Sequence, residues 1–171
     1  LNLSLLDNFL EKNVFKIEKI LGSFLKNIFL IIDYNIFFQI QISLKKNYYG
    51  DQVTSNSLKY LLNESKEQCK NTFNGKKIIH MIIDNYQIDK KDYNNLPKNF
   101  NCNYLSIDVS FLCLSKNFIS SLEKVFKKYH ILLSQIISAN YMNNLIQSDD
   151  QDPIQKAKLI KNGFNKNEIL L

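Results

Sequence analysis

The feature that most constrains this chain is that its apolar residues change period several times between Leu5 and Ile137. Steps of three and four fit one stripe of a helix, and strict alternation fits a half-exposed strand. A short unbroken apolar run fits a strand covered on both faces. Leu6, Phe9, Leu10, Val14, Ile17, Ile20 and Leu21 form the first stripe and predict an amphipathic helix over residues 5–21. Ser4 and Asp7 make a weak capping box for it, and Gly22 is a natural stop. The run 28–32 then reads as a strand buried on both faces, whereas Phe38-Gln39-Ile40-Gln41-Ile42 alternates.

After the punctuation Tyr48-Tyr49-Gly50-Asp51, Thr54 or Ser55 offers the cap of a second helix that turns Leu58, Leu61, Leu62 and Cys69 inward. Residues 77–83 are β-like, and Tyr86 and Ile88 prolong that strand beyond a bend. Residues 89–102, rich in Asn and holding Pro97, predict a loop. Leu105, Ile107, Val109, Phe111 and Cys113 then share one face of a strand, with Ser106, Asp108 and Ser110 opposite. Ser115 caps a third helix carrying Phe118, Ile119, Leu122, Val125, Phe126 and Tyr129 on its stripe, with Lys124, Lys127 and Lys128 near its C-terminal end. Residues 131–137 form another strand, 139–146 open a short helix, and Pro153 starts a last helix ending at Gly163. The fold class expected is α/β or α+β, with mixed sheets and packed helices. A sheet from the strands near Ile40, Ile79, Val109 and Ile136 is expected to carry the helices at 54–70 and 116–130.

Composition narrows the function. The chain has 171 residues, 45% of them hydrophobic, and a formal charge of +6. All 22 basic residues are Lys, so the bidentate guanidinium fork of most phosphate- and base-reading surfaces is missing, and no specific nucleic-acid partner is expected. Cys69, Cys102 and Cys113 are odd in number and lack CxxC spacing, which indicates neither a disulfide framework nor a zinc site and favours a reducing compartment. The most apolar stretch, 28–42, is interrupted by Asp33, Asn35, Gln39 and Gln41, so no transmembrane helix is expected. The chain opens on Leu1 without a signal-peptide pattern and reads as a segment of a longer protein.

Candidate chemistry is sparse. His80 lies within an apolar strand and His130 at a helix end, where packing and capping explain them better than a metal or acid–base role. Asp149, Asp150 and Asp152 lack the ligand spacing of a calcium loop, and Asp152 suits a helix cap. No GxxxxGK[ST], GxGxxG or GxSxG pattern occurs. The pairs Lys45-Lys46, Lys76-Lys77, Lys90-Lys91 and Lys127-Lys128 read as solvated edges, and the aromatic residues as core. No catalytic, cofactor-binding or metal-binding residue is assigned, and the chain is not expected to be an enzyme.

One string points further. Lys76-Lys77-Ile78-Ile79-His80-Met81-Ile82-Ile83-Asp84-Asn85-Tyr86-Gln87-Ile88-Asp89 resembles the signature strand of FtsA, the actin-like bacterial cell-division family, which reads roughly "vlHviPqeYxiD". His80, Tyr86 and Asp89 match, and Ile83 replaces the family's Pro. Residues 96–105 can be laid on "NPxGLxGxRL" with Pro97 and Leu105 in agreement, while Asn99 and Cys102 stand where Gly is usual and Tyr104 where Arg is usual. Val53-Thr54 and the helix after it look like the family's "iTxeDv" helix, and 109–115 and 118–139 look like the strand and helix–strand that follow. The resemblance runs collinearly over about residues 5–146 and fades afterwards.

It implies an actin-like ATPase fold fragment. Residues 1–35 would belong to the first lobe, 36–130 to an SHS2-type small subdomain, and 131–171 to the return to the first lobe and the start of the inter-lobe connection. The implied role is a protein–protein interaction and self-association module that helps link FtsZ filaments and later divisome proteins at the membrane. ATP with magnesium is implied for the full-length family only, and membrane contact only through a C-terminal helix outside this segment. The implied location is the cytoplasmic face of the cell membrane. The pilus-assembly family PilM, with a similar subdomain, is the nearest alternative, and a small basic nucleic-acid-binding α/β domain is another. The loop 89–102 and the outer face of the third helix are the surfaces expected to meet partners.

Overall fold

The computed structural model describes residues 2–33, 35–93, 95–97 and 100–147. The fold is mixed α/β. In chain order the elements are α1 (Leu3–Leu21), β1 (Asn27–Ile32), β2 (Phe38–Asn47), α2 (Ser55–Thr72), β3 (Lys76–Ile88), β4 (Lys91–Tyr93), β5 (Tyr104–Ser115), α3 (Lys116–Lys127), β6 (Leu132–Ser138) and α4 (Ala139–Gln147). They fall into two compact units, one of residues 2–37 with 114–147 and one of residues 38–113.

The single sheet expected to include Ile136 is corrected to two sheets. Ile136 lies on β6, which pairs in parallel with β1 and sets Leu30 beside Ile136. The other sheet has the order β2-β5-β3-β4. Apolar periodicity tells which face of a strand is buried but not which strand lies beside it, so a partner about a hundred residues away leaves no local trace.

In the first unit, α1 and α3 pack together and α3 packs on β6. Asn2, not Ser4, caps α1: its side chain accepts from the Ser4 and Leu5 N–H groups, and Gly22 ends the helix at φ 67°. The expected stripe is only partly right, because Leu10 and Val14 are buried while Phe9, Ile20 and Leu21 are exposed. In α3 the stripe holds: Ile119, Leu122, Val125 and Phe126 are all buried. Ser115 occupies the cap position but its side chain makes no capping bond. The helix ends in a Schellman arrangement, with the Ile131 N–H donating to the Phe126 carbonyl at 3.2 Å and the His130 N–H to that of Lys127 at 3.1 Å. His130 takes the left-handed position, at φ 58°. β1 is covered on one face rather than two, since Phe29 and Ile31 are 45% and 51% exposed.

In the second unit, β2 and β5 pair antiparallel from Phe38 opposite Cys113 to Asn47 opposite Tyr104. β5 is the inner strand between β2 and β3, and Leu105, Ile107, Val109, Phe111 and Cys113 are fully buried, the face its alternation predicts. α2 packs on β2 and β3, placing Leu61, Leu62 and Cys69 in the same core. Its cap is Thr54, in a reciprocal box with Ser57. Full burial of a Leu side chain contributes about 1.5–3 kcal/mol, so these inward rows carry most of the stability of the unit.

The loop expected at 89–102 contains a strand. β3 and β4 form a hairpin, with Ile88 opposite Lys91 and Tyr86 opposite Tyr93. The two residues between, Asp89 and Lys90, both have positive φ, 46° and 71°, as a type I′ turn requires. Asp-Lys lacks the glycine that normally announces such a turn, which is why the sequence hides it. The helix expected from Pro153 and the residues Asp149, Asp150 and Asp152 lie outside the described residues.

Candidate functional site

The motif strand is the natural starting place. His80, Tyr86 and Asp89 sit on β3 and its turn, and the three do different work. His80 is buried at 2% exposure and acts as a core residue. Tyr86 is half-buried, and burial pushes its phenol above its ordinary range. Asp89 is a fastener: its carboxylate accepts the Asn103 N–H at 2.9 and 3.1 Å and the Tyr104 N–H at 2.9 Å. Its own N–H donates to the Tyr104 carbonyl at 3.2 Å. The side chain therefore fixes the β3–β4 hairpin to the first residues of β5.

The rest of the hairpin is braced in the same manner. Asp92 accepts from Asn85 Nδ2 and Gln87 Nε2, each at 3.1 Å, and these donors hold its carboxyl below the usual carboxylate range. Just ahead of β5 the Cys102 N–H donates to the Asp51 carbonyl at 3.4 Å and its carbonyl accepts from the Gly50 N–H at 2.9 Å. Cys102 thus pins the turn after β2 and does not take a left-handed backbone, so nothing at this position requires the glycine usual in the resembled motif. Asn99 lies outside the described residues.

The outer face of α3, the other expected surface, presents Lys116, Asn117, Ser120, Glu123, Lys124 and Lys127 to solvent. Lys128, just beyond it, is engaged: its ammonium meets Asp7 at 2.5 Å, and Tyr129 donates to Asp7 Oδ1 at 2.8 Å. The hydrogen bonds from Lys128 and Tyr129 lower the Asp7 carboxyl. Asp7, expected to share a capping box with Ser4, instead ties α1 to the end of α3. Several other lysines rest on rings. Lys45 Nζ is 3.7 Å from the Tyr104 centroid, Lys46 Nζ is 5.2 Å from that of Tyr60, and Lys76 Nζ is 5.0 Å from that of Phe38.

The aromatic residues meet the expected core placement only in part: Tyr48, Phe111, Phe126 and Tyr141 are buried. Phe9, Phe15, Phe24, Tyr49 and Tyr60 are all exposed. The three thiols, Cys69, Cys102 and Cys113, are free and buried. Cys69 on α2 and Cys113 on β5 are hydrogen-bonded to each other, and burial pushes Cys113 up to about 12, so it is a poor nucleophile.

Among the described residues no three His, Cys, Asp or Glu side chains converge as metal ligands. At the start of α1 Asn2 accepts from the Ser4 and Leu5 N–H groups, at that of α2 Thr54 accepts from the Ser57 N–H, and α3 follows β5 without a glycine-rich loop. No helix among the described residues is long and apolar enough to cross a membrane. No protein-family model matches the chain, and no curated protein matches it.

Proposed function

We propose that this chain is a divergent FtsA-like segment, part of an actin-like first lobe with an SHS2-type subdomain, that works as a protein–protein interaction and self-association module in bacterial cell division. The observation that carries this reading is the order of elements around the motif strand. His80, Tyr86 and Asp89 follow a helix capped by Thr54 and, after the short hairpin strand β4, precede a strand, a helix and a strand, an order close to the one the resemblance implies. Further support comes from the apolar side chains left open on the first unit. Phe15, Ile20 and Phe24 are 75%, 84% and 79% exposed, as befits part of a larger lobe.

In this reading the hairpin and the outer face of α3 meet FtsZ-linked divisome proteins at the cytoplasmic face of the membrane. ATP binding and membrane attachment fall to other parts of the full-length protein. The test is the complete reading frame. A glycine-rich phosphate loop encoded ahead of Leu1, another after Leu171 and a terminal amphipathic helix are expected; a frame containing neither loop refutes the reading.

A further inference from the structure

Cys69 and Cys113 are far apart in the chain and meet in one core. Cys113 lies on the inward face of β5, opposite Phe38 on β2. Cys69 lies in the last turn of α2, which ends at Thr72. Both are fully buried, and their side chains are hydrogen-bonded to each other. A separate contact brings the same two places together. Phe73 caps α2 and donates its N–H to the Cys69 carbonyl at 3.1 Å, and its ring centroid is 5.5 Å from that of Phe38. The meeting of helix end and strands is thus fixed by backbone register and a ring pair as well as by the thiols.

We propose that Cys69 and Cys113 form a reversible disulfide site, closed by exchange with a low-molecular-weight disulfide and reopened by small thiols. Thiols already in hydrogen-bond contact need only a small closure to reach a bond of about 2 Å. The free pair is the resting form under reducing conditions, and in such a compartment a disulfide of this kind is transient. Cys102 does not compete. It precedes β5, and the strand from Tyr104 to Cys113 spans about 30 Å.

The two thiols have different parts in the exchange. The end of a helix opens more readily than an inner strand, so a reagent reaches Cys69 while β5 keeps Cys113 in place. Burial raises the Cys69 thiol, and the hydrogen bond from Cys113 acts against that rise. Burial holds Cys113 at about 12, which makes it the proton donor of the pair. The Cys69 thiolate attacks one sulfur of the small disulfide RSSR, giving Cys69–S–S–R and RS⁻, which takes the proton that Cys69 gave up. The Cys113 sulfur then attacks Cys69 Sγ, and the second RS⁻ leaves with the Cys113 proton. Two cysteine thiols are oxidised, and one small disulfide is reduced to two thiols. The new bond ties the end of α2 to the inner strand. The pair lies wholly within the second unit and stands whether or not the chain is FtsA-like.

Thiol counting on the 171-residue chain tests the site. The folded chain is incubated with oxidised glutathione under conditions that oxidise the same chain in urea, then quenched in acid, unfolded and alkylated with N-ethylmaleimide. Intact mass is expected to show one adduct in place of three, with digestion linking the Cys69 and Cys113 peptides and dithiothreitol restoring three adducts. The linked chain is expected to melt roughly 10 °C higher than the reduced one. Cys113→Ala is expected to stop at a glutathione adduct on Cys69; should this variant not fold, the wild-type count decides. Three alkylatable thiols after exposure, glutathione adducts without a link, a link to Cys102, or a midpoint that does not rise each overturns the proposal.

Discussion

Asp89 separates a structural from a recognition role for the motif strand, because its contacts are entirely internal. Removing its carboxylate frees two backbone donors, the exposed Asn103 N–H, which water can satisfy, and the half-buried Tyr104 N–H, which it satisfies poorly. A hydrogen bond to a charged acceptor contributes about 1.5–3 kcal/mol, and with the Asn103 half discounted for exposure the loss is about 1.5 kcal/mol. The backbone adds a second cost. Asp89 sits at φ 46°, a conformation that Asp tolerates and that costs a residue such as Ala roughly 1–2 kcal/mol. Asp89→Ala is therefore expected to lose about 2.5–3.5 kcal/mol. Asp89→Gly, relieved of the backbone term, should lose about 1.5–2 kcal/mol, and Asp89→Asn, which keeps an acceptor and the turn, about 0.5–1 kcal/mol. Urea unfolding followed by far-ultraviolet circular dichroism measures the three, with hydrogen exchange at Asn103 and Tyr104 as the local readout. The order Ala, Gly, Asn is the signature. If all three lie within about 0.5 kcal/mol of wild type, or Ala is no worse than Asn, the fastening role is refuted.

His130, exposed and left-handed in the Schellman turn after α3, should tolerate Gly with a gain of about 1 kcal/mol, read as a higher thermal midpoint; a loss would show that its imidazole does more than fill the position. Cys113 is expected to resist thiol reagents until the chain unfolds. Because its thiol rises from 9.0 to about 12 on folding, the folded state holds the proton more tightly than the unfolded one. The associated stability is complete below pH 9.0 and is lost as pH climbs toward about 12, so a urea midpoint unchanged across that window in wild type but shifted in Cys113→Ala contradicts the assignment. No salt-dependent binding to oligonucleotides is expected at low ionic strength; a log–log slope corresponding to several displaced counterions would restore the basic surface as functional.

What was legible in the sequence is whatever depends on a neighbour's face and not on its identity. The inward row of β5 and the stripe of α3 were readable because each buries one continuous face along its length. The stripe of α1 is buried over only part of its length. Apolar spacing tells which residues share a side, not how far the partner extends, and here Leu10 and Val14 are buried while Phe9, Ile20 and Leu21 lie open. The fasteners were invisible for another reason. Asp7 finds Lys128 and Tyr129, and Asp89 finds Asn103 and Tyr104, through single polar contacts across the chain that impose no period on the sequence. β4 escaped because three residues are too few to show alternation and its turn lacks glycine.

The chain's two unusual surface properties, its lysine-only charge and its open apolar residues, pull toward different partners, and the contacts decide between them. Five of the 22 lysines are engaged locally: Lys128 on Asp7, Lys70 on Glu67, and Lys45, Lys46 and Lys76 on aromatic rings. An anion-reading surface needs its cations free and clustered, so the charge of +6 is weak support for a nucleic-acid role. Phe38 and Tyr60 serve as rings for those lysines, but other apolar residues stay open. Phe29 and Ile31 on β1 belong to a run composed like a strand buried on two faces, yet the described residues cover only one, and parallel sheets are stable chiefly when both faces are covered. Exposed apolar area is worth more when buried against a partner than an already satisfied ammonium is worth to an anion.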